Sequence, residues 1–270
     1  MSAQQNQAMV ERYGPAAAPT RGPWNSVISG LLEHKSIRQY ESTPLDEGTL
    51  ETLVAAAQSA ATSSNLQCWS VISVTDLALR EELAKIAGNQ KHIMQCPLFL
   101  VWLCDLSRNE RLGQASGVDL EALTLTESFV VGVVDAALAS QNAVVAAESL
   151  GLGTVYIGAL RNDTEKVARL LNLPKGVFAV FGLCVGHTTA KAEVKPRLPQ
   201  EAVLFENQYV VRDEVRIRQT YDEVLGDFSR RQNMAQDTWT GRVVERMQKK
   251  AVSGRAKLRS ILESLGFPLR

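Results

Sequence analysis

A dense group of hydrogen-bond donors stands at the start of the segment HKSIRQY, residues 34–40. In an extended backbone alternate side chains share one face, so Ser36 and Arg38 are expected on the same side. An arginine offers a bidentate fork to a phosphate, and His34 and Lys35 add further donors and charge beside it. The segment therefore predicts a phosphate clamp, with an ordinary basic surface patch as the alternative.

Other short segments could surround the rest of a phosphorylated, flat ligand. A second cationic pair, Lys195 and Arg197, lies in the loop KPRLP, which its two prolines stiffen. Hydroxyl and amide side chains follow a predicted helix at residues 62–65, and glycines at 151, 153 and 158 permit close backbone approach to a ring. Taken alone, residues 62–65 are more often just a helix-end loop, and the glycines equally fit a helix stop followed by a bulged strand.

Motifs that carry chemistry by themselves are missing from the sequence. It has no phosphate-binding P-loop and no G-x-S-x-G nucleophile elbow. The histidines at 34, 92 and 187 lack metal-ligand spacing, and no pair of acids suggests a glycosidase. The glycines of GLGTVYIG are wrongly spaced for a dinucleotide fingerprint, and a predicted helix precedes them. A sizeable chain without such a set points to a cofactor that carries the chemistry.

Composition narrows the class of protein. The 270 residues are 45% hydrophobic and 21% charged, which is enough for a substantial core and excludes a disordered chain. Equal numbers of basic and acidic residues, 29 of each, argue against a nucleic-acid-binding protein. The four cysteines form no C-x-x-C pair, which argues against a zinc site and fits a reducing, cytoplasmic compartment. The first residues lack the pattern of a secretory signal.

The elements that must position these residues follow from hydrophobic periodicity. It predicts helices over residues 24–33, 46–61, 76–87, 123–150 and 164–171, with Asp46 and Asp76 as N-caps. Strands are predicted over residues 69–75, 98–104, 154–157 and 177–185. Their irregular order indicates an α+β fold with a mixed or antiparallel sheet rather than βαβ repeats.

The most apolar segment, residues 129–150, is long enough to cross a bilayer. It carries Asp135, Gln141, Asn142 and Glu148, each of which is costly in hydrocarbon. A buried helix of a soluble protein is therefore the preferred interpretation over a membrane span. Because the helix is apolar almost all the way round, we expect it to lie centrally or to be shared by two subunits.

We divide the chain into a flexible N-terminal arm (1–22), a core (23–210) and a basic helical C-terminal extension (211–270). Residues 230–270 contain ten Lys or Arg against three Asp or Glu. This excess predicts either a cationic flap that receives an anionic ligand or a solvated helix face.

Six segments in register resemble the oxygen-insensitive NADPH nitroreductase and flavin reductase family. They are HKSIRQY, TSSNLQCWS, ALREELAKIAGNQKHI, GVVDAALASQNAVVAAESLGLGTVYIGALRND, FGLCVGH and KPRLP. The resemblance is strong over residues 31–198 and weak through the tail, where DTW (237–239) also fits, and it leaves out residues 1–30. It implies a nitroreductase-like α+β fold with a central, mostly antiparallel sheet flanked by helices, and an intertwined homodimer.

The resemblance further implies FMN bound tightly but non-covalently at the dimer interface, with hydride transfer by FMN and no catalytic side chain. Matching the family's motifs position by position assigns FMN binding to His34, Lys35, Ser36, Arg38, Thr62, Ser64, Gln90, Tyr156, Ile157, Gly158, Ala159, Lys195 and Arg197. Arg38 matches the phosphate ligand and Gln90 the contact at the isoalloxazine edge. Arg230 and Arg255 match the arginines that receive NADPH or the acceptor. The family commonly has Arg in place of Lys35 and Gly in place of Ala159.

By this resemblance we expect an NADPH oxidoreductase that reduces nitroaromatics, quinones or related electrophiles by two electrons in a ping-pong cycle. One alternative is a flavin reductase that supplies reduced FMN to a partner enzyme. An alternative of another class is a non-catalytic, flavin-binding redox sensor. Small electrophiles and a second copy of the chain are the expected partners, and no metal, nucleic acid or membrane is expected.

Overall fold

The computed structural model describes residues 3–15, 22–234, 238–248 and 254–270. The chain divides into two compact units, each assembled from separate stretches. The larger unit contains residues 36–190 and 254–270, and the smaller unit contains the described residues of 3–35 and 191–248. These borders differ from the predicted ones at residues 22 and 210, because the smaller unit packs the first helices with chain that follows residue 190.

The helices are numbered in chain order among the described residues. They are α1 (Ala3–Tyr13), α2 (Ser26–Glu33), α3 (Thr49–Gln58), α4 (Leu77–Ile86), α5 (His92–Gln95), α6 (Ser107–Ala115), α7 (Thr126–Ser149), α8 (Thr164–Leu170), α9 (Glu214–Arg231), α10 (Trp239–Arg246) and α11 (Leu258–Ser264). The strands are β1 (Trp69–Ser73), β2 (Leu98–Asp105), β3 (Gly153–Ile157) and β4 (Val177–Gly186). Each helix and strand predicted from periodicity is present within a few residues of its expected bounds.

The larger unit is built on a sheet with strand order β1-β2-β4-β3. All three neighbouring pairs are antiparallel, which confirms the predicted α+β class. Every residue of β2 is buried, as its continuous apolar run predicts for a strand covered on both faces. β1 and β3 form the two edges, so residues that follow β3 and residues that precede β1 are separated by the width of the sheet.

One of the two predicted helix caps is confirmed. Asp76 caps α4, since its Oδ1 accepts the N–H of Leu79 at 2.8 Å. Asp46 does not cap α3, which begins three residues later behind Gly48. Gly48 has a φ of 80°, a left-handed conformation that glycine adopts without steric cost, so the chain turns once more before the helix starts.

Helix α7 is long and apolar enough to span a membrane by length and composition. In the fold it packs against α3 and the sheet, and its polar side chains are bonded within the protein. Asp135 is buried, and Asn142 donates to the carbonyl of Ala56 at 3.2 Å. The opposite side of the helix leaves Val130, Val134 and Leu138 exposed. The helix is therefore a core helix of the larger unit with one uncovered apolar stripe.

The smaller unit contains α1, where we expected a flexible arm. Gln5, Ala8 and Arg12 are buried along one side of this helix. Gly14 follows it with a φ of 80°, and a Cβ at this position would lie 2.9 Å from a methyl group of Val224 on α9. Composition did not reveal the helix, because two of the side chains on its buried side are polar.

The predicted C-terminal extension does not form one body. α9 and α10 belong to the smaller unit, and α11 belongs to the larger unit. In the smaller unit Tyr221, Leu225 and Phe228 of α9 form an apolar cluster against which Trp239 packs. Asp237 of the DTW segment lies outside the described residues.

Candidate functional site

The segment at residues 36–38 lies along the free edge of β3. The N–H of Ile37 donates to the carbonyl of Thr154 at 2.8 Å, and Ser36 forms a parallel bridge with the same residue. Ile37 is buried, whereas Ser36 and Arg38 are exposed, so the predicted alternation is confirmed. Gly153 makes this approach possible, because a Cβ there would lie 2.9 Å from the side chain of Ile37.

Tyr40 anchors this segment, and sequence reasoning did not identify it. Its hydroxyl lies 2.9 Å from the carbonyl oxygen of Ile37 and 3.3 Å from that of Cys184 on β4. Burial raises the pKa of the phenol, so Tyr40 remains a neutral donor. A tyrosine at the end of a polar segment carries no sequence signal for such a bond, because the acceptor strand lies more than a hundred residues away.

The predicted flavin strip, residues 156–159, continues from the end of β3 into the 3-10 helix Gly158–Asp163. The Tyr156 hydroxyl is held 3.2 Å from Ser140 Oγ on α7, and its ring meets Phe181 edge-on. The side chain of Ile157 is buried in the core, so only its backbone can face a ligand. Gly158 and Ala159 are half-buried. The strip can therefore offer backbone groups and little steric bulk to a flat ring.

Two arginines lie at the end of this strip. Arg255 donates to Asn162 Oδ1 through Nε at 3.2 Å and through Nη2 at 3.0 Å. Arg161 donates to the carbonyl of Val180, and its pKa is lowered by burial and by the nearby charge of Arg255. Only Arg255 was predicted to bind a ligand. Arg161 could have been suspected because it follows the predicted strip by two residues.

Gln90 lies in the turn that connects α4 to α5. Asn89 before it has a left-handed φ of 56°, and Gln90 is half-buried. His92 is buried, and its pKa is lowered by burial and by the charge of Arg38. Asn162, in the 3-10 helix that follows β3, donates to the carbonyl of Ile86 at 3.2 Å, so the end of α4 and the turn after it lie on the β3 side. The structure thus brings Ser36, Arg38, Gln90, the strip 156–159 and Arg255 to the β3 side of the larger unit.

Thr62 and Ser64 lie elsewhere, before β1 at the opposite edge of the sheet. Thr62 Oγ1 lies 2.5 Å from Asp135 Oδ2, and it also accepts the N–H of Gln67 at 3.0 Å. Strands β2 and β4 separate this edge from β3, a distance of about 14 Å at the usual strand spacing. Within one chain the structure therefore does not bring Thr62 and Ser64 together with Arg38.

The remaining predicted cations belong to the smaller unit. His34 and Lys35 follow α2, and Lys195 and Arg197 lie in the loop before α9. Arg12 connects the two places, since its guanidinium donates to the carbonyls of His34 at 3.1 Å and Lys195 at 2.8 Å. Sequence reasoning missed Arg12 because the residue falls in the expected arm.

Arg230 stands on α9 and is exposed. Its Nη2 lies 2.5 Å from Oδ1 of Asp227, one helical turn earlier. Arg230 and Arg255, which were predicted to serve the same ligand, belong to different units. Each is therefore treated as a separate candidate.

The residues of the β3 side suit a phosphorylated flavin. Among the described residues, the Arg38 guanidinium has one hydrogen bond, to the carbonyl of Ser36 at 3.4 Å, so its charge is available to a phosphate. The strip 156–159 offers backbone groups beside it, and the Gln90 amide offers both a donor and an acceptor to a ring edge. The donor set therefore fits FMN.

Comparisons with known proteins identify the family of this chain. The sequence profile of the nitroreductase family matches residues 31–187, and that of the nitroreductase family C-terminal domain matches residues 195–270. The chain is 44% identical over 218 residues to the oxygen-insensitive NADPH nitroreductase of Salmonella typhimurium, which covers 80% of this chain and 88% of that protein. It is 39% identical to the FMN reductase (NADPH) of Bacillus subtilis over 90% of this chain and 98% of that protein.

Among solved structures, a nitroreductase from B. subtilis superposes with a TM-score of 0.85 and 38% identity. The match covers 91% of this chain and 100% of that one. The similarity in sequence and structure extends over the sheet-containing unit and over most of the remaining chain. The chain therefore belongs to the nitroreductase family.

Proposed function

We propose that the protein is an FMN-dependent NADPH oxidoreductase that reduces nitroaromatics, quinones or related electrophiles by two electrons. The single observation that carries this proposal is the β3 side of the larger unit, where Ser36 and Arg38 run beside the backbone strip 156–159. Relatives named as an NADPH nitroreductase and an FMN reductase (NADPH) support the same donor and cofactor.

When bound, FMN supplies the hydride chemistry, accepting two electrons from NADPH and passing them to the acceptor. The protein's residues bind and orient it. Arg38 and the hydroxyl of Ser36 are proposed to hold its phosphate, and the strip 156–159 is proposed to lie beside the ring. Gln90 would hydrogen-bond to the ring edge. If donor and acceptor occupy the same place beside the bound cofactor in turn, ping-pong kinetics are expected.

NADPH carries a 2′-phosphate that distinguishes it from NADH, and cationic side chains can recognise this group. Arg255 is proposed to contribute to this recognition, because it lies at the end of the strip with Arg161 beside it. Two neighbouring guanidinium groups repel each other and therefore favour an anion between them. Arg230, on α9 of the smaller unit, is a separate candidate for the same role.

We further propose that the protein is a homodimer and that its FMN sites need both copies. Val130, Val134 and Leu138 are exposed at 47%, 48% and 44%, and they form a stripe one turn apart along α7. A second copy placed on this stripe would cover it. Thr62 and Ser64 lie beside α7 at the edge opposite Arg38, so they would contribute to the partner's FMN site rather than to their own chain's.

A cytoplasmic location is proposed from the cysteines. All four, Cys68, Cys96, Cys104 and Cys184, are buried free thiols. A reducing compartment preserves such thiols.

An absorption spectrum before and after anaerobic addition of NADPH tests the main proposal. We expect a yellow protein whose flavin absorbance is bleached by NADPH and much less by an equal concentration of NADH. A protein that is colourless and cannot be reconstituted with FMN would overturn the cofactor assignment. A yellow protein that NADPH does not bleach would favour the non-catalytic sensor instead.

A second candidate function is a flavin reductase that releases reduced FMN, and the B. subtilis relative's name favours it. Steady-state turnover separates the two. A nitroreductase consumes NADPH at a rate that depends on the concentration of a nitrofuran without added flavin. A flavin reductase requires free FMN and saturates with it.

A further inference from the structure

A buried arginine in the smaller unit joins the two cationic segments predicted around a phosphate. Arg12, near the end of α1, is only 4% exposed. Its Nη2 donates to the carbonyls of Leu32 and His34, the latter at 3.1 Å, and its Nη1 donates to the carbonyl of Lys195 at 2.8 Å. One side chain therefore bonds both the end of α2 and the KPRLP loop.

The backbone of Arg12 completes this connection. Its carbonyl accepts the N–H of Arg197 at 2.8 Å, so the end of α1 and residues 195–197 are bonded in both directions. Helix α9 supports the same loop, since the Tyr221 hydroxyl donates to the carbonyl of Pro196 at 2.9 Å. The loop backbone is thus fixed from two sides, while the Arg197 side chain remains exposed.

Arginine is chemically suited to this position. Its planar guanidinium presents several N–H donors in a rigid fork and can reach separate carbonyls at once, with its stem buried. A lysine at the same place would concentrate its donors at one point. The carbonyls of His34 and Lys195 belong to residues that were predicted to bind phosphate, and the carbonyl of Leu32 lies two residues before His34. The bonds therefore act on the anion-binding segments rather than on remote parts of the unit.

Helix α1 lies outside residues 31–187 and 195–270, over which the two family profiles match. Arg12 is not among the residues that the family motifs assign to FMN binding. It requires only residues within the smaller unit.

We propose that Arg12 is a positioning residue for the FMN phosphate. It holds residues 34–35 and 195–197 in one arrangement, so that their cationic side chains are ordered before the anion arrives. Ordering them in advance lowers the entropy that binding must otherwise remove. Arg12 does not touch FMN, because its guanidinium is buried against carbonyls. The proposal rests on the proposed function, namely that the protein binds FMN.

The test compares two flavins on apoprotein of the full chain. Riboflavin has the ring and ribityl chain of FMN without the phosphate, so the ratio of the two dissociation constants isolates phosphate recognition. Quenching of flavin fluorescence gives both constants. In Arg12→Met, we expect FMN to bind at least tenfold more weakly and riboflavin to change by less than about twofold, so that the ratio of the riboflavin constant to the FMN constant falls at least about fivefold.

Two further variants define the cause. Arg216→Met removes the same charge from the same unit by breaking an exposed ion pair with Glu201, and it is expected to leave the ratio unchanged. Arg12→Lys keeps the charge but not the fork, and we expect its ratio to stay near that of Arg12→Met. Full recovery with lysine would mean that charge rather than bonding matters, and would overturn the positioning role.

Equal weakening of FMN and riboflavin in Arg12→Met would make Arg12 a structural anchor and overturn the proposal, as would unchanged constants. If Arg12→Met does not fold, Arg12→Lys carries the same comparison. Wild-type apoprotein that binds neither flavin would instead refute the proposed function, which separates that failure from failure of the role given to Arg12.

Discussion

Asp135 and Thr62 are joined by a short hydrogen bond, with Thr62 Oγ1 2.5 Å from Asp135 Oδ2. The same carboxylate accepts the N–H groups of Ser63 at 3.2 Å and Cys68 at 3.0 Å. It thereby binds both ends of the loop 62–68 from helix α7. The Thr62 proton is committed to this bond, so Thr62 can offer a ligand only an acceptor lone pair.

The loop that Asp135 holds has an unusual backbone. Ser64, Asn65 and Gln67 have φ angles of 47°, 57° and 52°, in the left-handed region that non-glycine residues avoid. Such conformations persist where the surroundings fix them, and they are common at binding sites. Gly132 lets α7 lie this close to the strands and the loop, because a Cβ there would clash with Cys104 Sγ and would lie 3.2 Å from the carbonyl oxygen of Cys68.

Asp135→Asn should therefore disorder the loop. An amide keeps one oxygen but replaces the other with an NH2 donor, which faces at least one of the three groups that donate to this carboxylate, and leaving such a donor unpaired costs about 1–3 kcal/mol. We expect a loss of that size in the free energy of unfolding, together with faster amide hydrogen exchange in residues 62–68 and weaker FMN binding. Val144→Ala creates a cavity on the same helix away from the loop. It should lower the free energy of unfolding without changing exchange in the loop or FMN binding. Equal exchange in the two variants would contradict the role of Asp135.

Arg38→Ala and Arg197→Ala should each yield folded protein that has lost FMN. A hydrogen bond to a charged group contributes about 1.5–3 kcal/mol, which corresponds to roughly ten- to a hundredfold in Kd. Flavin content per chain and FMN titration of apoprotein measure the effect.

Arg259→Ala is the control for these variants, because it removes an exposed arginine that pairs with Glu263 one turn later on α11. It should stay yellow. Stoichiometric FMN in Arg38→Ala or Arg197→Ala would remove the corresponding residue from the phosphate site.

Local patterns in the sequence were sufficient for most of the fold. The continuous apolar run of β2, the Asp76 cap and the alternation of Ser36 and Arg38 each depend on neighbours within a few residues. The family motifs added the identity of residues that no single pattern could specify. These parts were predictable because periodicity and capping are local properties.

Bonds between distant residues could not be predicted. Arg12 bonds to carbonyls 20, 22 and 183 residues away, and a polar side chain of that kind gives no sign of being buried. Asp135 in an apolar helix could be read only as costly in a membrane, not as the acceptor for a loop 73 residues earlier. The separation of Thr62 from Arg38 likewise follows from strand order, which the sequence leaves open.

Val134→Glu should convert the protein to monomers. It places a charge in the centre of the exposed stripe on α7, where a partner subunit would have to bury it. Light scattering after size-exclusion chromatography measures the mass. Because Thr62 and Ser64 are proposed to serve the partner's site, monomers should also lose FMN.

Leu112→Glu is the matched control for Val134→Glu, since Leu112 is 64% exposed on α6, away from the stripe. It should remain dimeric and yellow. A Val134→Glu dimer with full flavin content would place the interface elsewhere.

Arg255→Ala and Arg230→Ala should reduce the preference for NADPH over NADH while the protein stays yellow. Each removes a cation proposed to meet the 2′-phosphate, so the ratio of the two kcat/KM values should fall about tenfold for an effective contact. The decrease should arise from NADPH alone, because NADH has no phosphate at that position. Unchanged ratios in both variants would make the basic tail a solvated helix face.

His92 should make stability depend on pH near neutrality. Its Nε2 is buried without a hydrogen-bond partner among the described residues, and burial and Arg38 lower its pKa below the usual 6.5. The unfolded chain then binds the proton more readily than the folded one. The stabilisation of the fold by neutral His92 is complete above about pH 6.5 and is lost as the pH falls toward the folded-state pKa. The free energy of unfolding then falls by at most about 1.4 kcal/mol per pH unit.

Urea unfolding at pH 7.5, 6.5 and 5.5 gives the free energy of unfolding of wild type and of His92→Phe. The difference between the two isolates His92, because the titration of carboxylates common to both proteins cancels. We expect the advantage of wild type to shrink as the pH falls. Arg38→Ala should weaken the dependence, because it removes one of the two causes that lower the pKa of His92. A wild-type advantage that is constant with pH would mean that His92 titrates alike in the folded and unfolded chains.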